Sequence, residues 1–214
     1  MTTAYQPDLL IKPSGRTAML LSSGFVLDLL NPDATGMPIS DVARSLSQQP
    51  RWAGATRTFF SVAEHSVMVS KLVPPALAFD GLMHDADEMI SGDIASCVKV
   101  LIGRDRIKTA LKPVLVSMSA WFGFRLDVPE VKVADTICMA TELRDLLPPA
   151  WMDWGHLLPP VPETIVPVGP AKAYELFMAR YEEVKHLALR PTPGRRQKAN
   201  RARPGTERRP ADGT

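Results

Sequence analysis

The chain has 214 residues, enough for one domain with a sizeable core, and 45% of them are hydrophobic, an ordinary share for a globular protein. It has no run of 18 apolar residues and no basic segment leading into an apolar one at its start, so neither a membrane span nor a secretory signal is indicated. The net charge of +2 hides an asymmetry: residues 190–214 hold eight basic residues and two acids, which leaves the preceding part at −4 and the tail at +6. Cys97 and Cys138, each without a second cysteine at close spacing, suggest neither a disulfide framework nor a cysteine metal site, and point to the reducing cytosol.

Residues 1–13 are polar. Residues 17–30 read as a small hairpin turning at Ser22-Ser23-Gly24, closed by the turn chemistry of Asn31-Pro32-Asp33. Ser40 or Asp41 is placed to cap a short helix through Leu46. A helical core follows. Residues 62–73 form one helix, ended by Pro74-Pro75, and residues 76–90 form a second that stops near Gly92. Helices over 94–101 and 106–121 flank Gly103, with a break or kink at Pro113, and Pro129 opens a helix through Leu146. A proline-rich connector over 148–170 carries Trp151 and Trp154, and 171–189 is the last helix. The tail after Pro191 has almost no large apolar side chain and is expected to be disordered.

Three of the helical segments carry metal-ligating residue types. Glu64-His65-Ser66 lies on the first core helix, Met83-His84-Asp85-Ala86 on the second, and Ala134-Asp135-Thr136 on the helix after Pro129. Imidazole nitrogen with carboxylate oxygen suits a divalent transition ion. Adjacent helical residues point about 100° apart, so His84 and Asp85 alone cannot enclose an ion. His65 and Asp135 are placed to complete the shell. For an isolated His-Asp pair, a buried hydrogen-bonded histidine beside an exposed aspartate is the ordinary alternative.

The ordered set His65, His84-Asp85, Asp135 resembles the H…HD…D signature of the HD-domain metal-dependent phosphohydrolases. The stretch Leu82-Met83-His84-Asp85-Ala86-Asp87-Glu88-Met89-Ile90-Ser91-Gly92-Asp93-Ile94 is similar to the bacterial 5′-deoxynucleotidase branch, as is Arg51-Trp52 upstream of Ser61-Val62-Ala63-Glu64-His65-Ser66. The resemblance covers residues 14–149 and extends to small phosphohydrolases common in bacteriophages. It implies an all-α HD-domain helical bundle over 51–189, preceded by an extension over 1–50 with the hairpin and a short helix. The basic tail over 190–214 would follow. It further implies one divalent transition ion (Mn, Co, Fe, Ni or Zn), a nucleotide substrate, a homo-oligomer without membrane contact, and the cytoplasm as location (the host's, for a phage protein). The activity implied is hydrolysis of deoxynucleoside 5′-monophosphates, with a deoxynucleoside triphosphate triphosphohydrolase as the close variant. The chain departs from the branch between Arg51 and His65, where it is about one residue shorter and has Phe59-Phe60 in place of polar residues.

Glu88, one helical turn from His84, is the candidate to orient water or shuttle its proton, with a solvated helix carboxylate as the alternative. Asp93 matches a catalytic aspartate of the branch, and it could equally cap a helix at Ile94. Arg51 can grip phosphate oxygens with its planar fork, and Trp52 can stack on a base or sugar. A cation resting on a packed ring is the plainer account of that pair. Lys99 is a further phosphate candidate and Arg57 a weaker one, whereas Arg144 is expected to pair with nearby acids. His156 and His186 read as surface residues, which argues for one metal rather than two. Two readings from other classes stand beside the enzyme: a nucleic-acid binder led by the basic tail, and a catalytically dead nucleotide sensor.

Overall fold

A computed structural model describes residues 16–149, 154 and 157–189. The described chain is mostly helical, with one two-stranded antiparallel sheet near its start. The expected tail, residues 1–13, Trp151 and His156 lie outside the described residues.

Strands β1 (Ala18–Leu20) and β2 (Val26–Asp28) pair in the register Ala18 with Asp28 and Leu20 with Val26. Helix α1 (Ile39–Gln48) starts after Pro38 without a side-chain cap, contrary to the expectation for Ser40 or Asp41. Asp41 is instead buried and accepts hydrogen bonds from Ser22 Oγ at 2.7 Å and the Ser23 amide at 3.0 Å, tying the hairpin turn to α1. Helix α2 (Val62–Leu72) has the expected span, opened by a capping box between Ser61 and Glu64.

The single helix expected over 76–90 is broken. A 3₁₀ turn (Pro75–Leu77) leads into α3 (Ala78–Met83), and α4 (Glu88–Ser91) follows after His84–Asp87. Between them the amides of Ala86, Glu88, Met89 and Ile90 each reach back three residues rather than four. Such tight turns stack side chains three apart, which brings Asp85 and Glu88 to one side. Helix α5 (Ser96–Ile102) leads to α6 (Arg104–Phe122), which runs unbroken through Pro113. The missing hydrogen bond costs little there, because Thr109, Lys112 and Pro113 all face solvent. Helix α7 (Pro129–Leu146) follows, and α8 (Pro170–Val184) ends in a 3₁₀ turn (Lys185–Leu187), shorter than the expected last helix.

Helix α2 lies at the centre, packed against α1, α3, α7 and α8. Leu27, Met37, Val42 and Leu46 share one core with Phe79, Leu82, Met118 and Phe177, so the packing has no break at residue 50. Burial of these apolar side chains stabilises the fold by about 1.5–3 kcal/mol each. Gly81 sets the α2–α3 crossing: a Cβ there would meet the Ser70 Cα at 3.0 Å. The close approach carries His84, three residues on, toward His65.

Candidate metal centre

His65 is fully buried on α2. Its Nδ1 donates to Glu142 Oε1 at 2.6 Å, and His84 Nδ1 donates to the Gly81 carbonyl at 2.9 Å. Both Nδ1 atoms are thereby committed, and both Nε2 atoms turn to the same spot, 3.3 Å apart. Asp85 Oδ2 lies 3.1 Å from His84 Nε2 and 3.6 Å from His65 Nε2, and Asp135 Oδ1 lies 3.3 Å from His65 Nε2.

These separations test the fit to an ion. Ligand bonds of about 2.0–2.2 Å at tetrahedral or octahedral angles put neighbouring donor atoms about 3.0–3.5 Å apart. The observed contacts span 3.1–3.6 Å, and the donor chemistry of two imidazoles with carboxylates suits a divalent transition ion. The residues fit. The compact part of the group is His65, His84 and Asp85, whose donor atoms all lie within 4.8 Å of one another. Asp135 joins it through His65, and its other oxygen takes Lys132 Nζ at 2.8 Å.

Electrostatics follow from this crowding. Burial alone would raise the Asp85 carboxyl, but the charge and hydrogen bond of His84, with His65 behind it, hold it well below the usual range. Asp135 is likewise held low against its burial by His65, His84 and Lys132. Burial and Arg51 both work to lower His65, yet Glu142 and Asp135 outweigh them and push it up to about 10. A divalent ion competes with that proton for the same nitrogen. Glu88 is buried, its Oε2 has no hydrogen-bond partner, and Lys99 Nζ stands 3.6 Å from its Oε1. Burial, then the charges of Asp85 and Asp93, push Glu88 up to about 9. Asp87 rises to about 6, again through burial and Asp85.

Arg51 is buried rather than offered to solvent. Its Nε and Nη2 both reach Glu142 Oε2 at 3.2 Å, and Nη1 stands 3.5 Å from Asp93 Oδ1. The fork that sequence reasoning assigned to phosphate is therefore largely engaged by protein carboxylates. The alternative cation-on-ring arrangement with Trp52 is not among the described ring contacts. Trp52 donates its amide to Asp93 at 2.8 Å and its indole N–H to Glu142 Oε2 at 2.8 Å, and it meets Trp154 edge-on. Trp52 and Ala53 both adopt left-handed backbone, φ 56° and 51°. That conformation costs about 1–2 kcal/mol per residue away from glycine. Asp93 thus holds the Arg51-Trp52 turn, and α5 begins later, after Ala95, without a side-chain cap.

A cavity of about 630 Å³ opens beside the cluster, lined by His84, Asp85, Glu88 and Asp135 at one end. Its volume falls in the range of small-ligand sites. Lys99 lines it as expected. Arg51, Trp52, His65 and Asp93 do not. Its far wall carries Arg104, Lys108 and Lys112, four residues apart on one face of α6. Sequence reasoning missed these three, although their spacing was a readable signal. It also missed Glu142, seven residues after Asp135 and therefore on the same face of α7. Arg57 bonds the carbonyls of Leu146 and Leu147. Arg144 pairs with Asp145 at 2.7 Å, and His186 is exposed.

No family profile matches the sequence. An uncharacterized protein of Escherichia coli strain K12, YfdR, is 36% identical over 175 residues, which cover 76% of this chain and 92% of YfdR. The chain belongs to the YfdR family. A second uncharacterized relative, from Rhodobacter capsulatus, is 32% identical over 138 residues, covering 58% of this chain and 70% of that protein. Among the described residues no helix is long and apolar enough to cross a membrane.

Proposed function

We propose that this YfdR-family protein is an HD-type metal-dependent phosphohydrolase that releases phosphate from deoxynucleoside 5′-monophosphates. The observation that carries the reading is the convergence of the two Nε2 atoms, each fixed by an engaged Nδ1, on the Asp85 carboxylate. His65, His84 and Asp85, with Asp135 adjoining, would hold one divalent transition ion, which supplies a more acidic water and polarises a P–O bond. Glu88 lines the cavity next to Asp85, and its unpartnered Oε2 is the group placed to hold or pass a proton. Lys99, 3.6 Å from the Oε1 of Glu88, lines the same cavity and is the cation proposed to turn toward a phosphate oxygen. Arg51 and Trp52 do not line the cavity, and the Nη1 of Arg51, 3.5 Å from Asp93, is the part of its fork that a shift of the turn would free for substrate. Asp93 fixes that turn by accepting the Trp52 amide.

One observation favours a second reading, a substrate with further phosphates. Arg104 makes only a long 3.5 Å contact with a carbonyl, and Lys108 meets only the exposed Asp127. Cations of the same sign at four-residue spacing repel each other, and an anionic chain would relieve that. The test is a panel of deoxynucleoside mono-, di- and triphosphates with manganese or cobalt, reading phosphate against triphosphate release. Phosphate from monophosphates supports the first reading, and triphosphate release supports the second. No turnover of any of them with any metal refutes both.

A further inference from the structure

Glu142 is not among the proposed ligands and does not line the cavity, yet it is completely buried and its two oxygens are divided between two tasks. Oε1 accepts the Nδ1–H of His65 at 2.6 Å. Oε2 accepts Arg51 Nε and Nη2, each at 3.2 Å, and Trp52 Nε1 at 2.8 Å. The partners come from α2 and from the turn over Arg51–Gly54, while Glu142 itself belongs to α7. In a buried network of this kind the bonds constrain one another, so the position of each partner depends on the others.

We infer that Glu142 is a positioning residue that sets the ligating face of His65 and the Arg51-Trp52 turn with a single carboxylate, coupling metal binding to nucleotide binding. The inference rests on the metal reading proposed above. The coupling has a definite physical route. A carboxylate on Nδ1 keeps the imidazole proton there and leaves the Nε2 lone pair for an ion. The other oxygen holds the Trp52 indole while Asp93 holds its amide, and together they fix a residue with left-handed backbone. Movement of the carboxylate toward one task withdraws it from the other.

Glu142→Gln in the full chain separates the possibilities. An amide has one donor end and one acceptor end, but every neighbour of Glu142 is a donor. With its oxygen kept on Arg51 and Trp52, the amide NH₂ donates to His65 Nδ1 and moves the imidazole proton to Nε2, removing the metal-facing lone pair. The expected result is a folded protein by circular dichroism whose manganese affinity by calorimetry is about 10–100-fold weaker. Its cobalt absorption bands shift, and KM for dAMP at saturating manganese rises about threefold or more, since the bonds that hold the Arg51-Trp52 turn lose their anionic acceptor. Glu142→Asp keeps the charge beside Arg51 but shortens the side chain by one methylene. It shifts manganese affinity and KM in the same directions, and it carries the test if the amide variant does not fold. A folded variant of either kind with unchanged manganese affinity, or with unchanged KM, overturns the coupling alone. A parent protein that binds no divalent ion overturns the metal reading, and the coupling with it.

Discussion

Replacement of Glu88 by glutamine is expected to stabilise the protein and silence it at once. Glu88 is 6% exposed, its Oε2 has no hydrogen-bond partner, and its proton is held up to a pH of about 9 against an ordinary 4.5. Between those values the folded chain retains a proton that the unfolded chain has released, so this group's contribution to stability falls as pH rises from about 4.5 to about 9. At pH 7.5 the gap from the unfolded value is roughly three units, or on the order of 2–4 kcal/mol after allowance for structural relaxation. Glutamine is nearly isosteric and never ionises. Glu88→Gln should therefore melt roughly 5–12 °C higher than the parent at pH 7.5 in chelator, and close to the parent at pH 5. Manganese should shrink the gain, because an ion beside Asp85 favours the Glu88 carboxylate. Turnover should fall about 10²–10⁴-fold, the usual worth of an acid–base group. The assay is thermal melting at the two pH values, with and without manganese, alongside phosphate release. Equal or lower melting at pH 7.5 in chelator, or the same gap at both pH values, refutes the reasoning.

Loss of a ligand should act on the ion directly: His84→Ala should abolish metal binding and turnover together, and stoichiometric metal in that variant by elemental analysis refutes the assignment. Arg51→Lys keeps the charge but cannot satisfy Glu142 with two donors while reaching Asp93; it should unfold about 2–4 kcal/mol more easily in urea and lose about tenfold or more in kcat/KM. Parent-like values in both would make the fork dispensable. The triple change of Arg104, Lys108 and Lys112 to glutamine touches exposed side chains only. It should leave melting within about 1 °C, while raising KM about tenfold for a deoxynucleoside triphosphate and little for the monophosphate. An equal effect on both substrates, or none, removes the α6 wall from substrate recognition.

Periodicity and punctuation made most elements legible. The α2 span follows from an apolar run between a capping box and Pro74-Pro75, and the hairpin follows from two apolar runs on either side of a Ser-Ser-Gly turn. Residue chemistry made His65, His84, Asp85 and Asp135 legible as candidates, because few alternatives exist in a chain with four histidines. Other features are settled by contacts across the fold, which no local window contains. The helix expected over 76–90 breaks at His84–Asp87, where one segment must face both α2 and the cavity. Asp41 had a local account as a cap, but distant serines claim it. Arg51 had a local account as a phosphate fork, but Glu142 lies 91 residues away and occupies it. Glu142 itself looks in sequence like any acid on an amphipathic helix. Only burial makes it matter, because a charge taken out of water must find partners, and the packing of α2 against α7 decides which ones it meets.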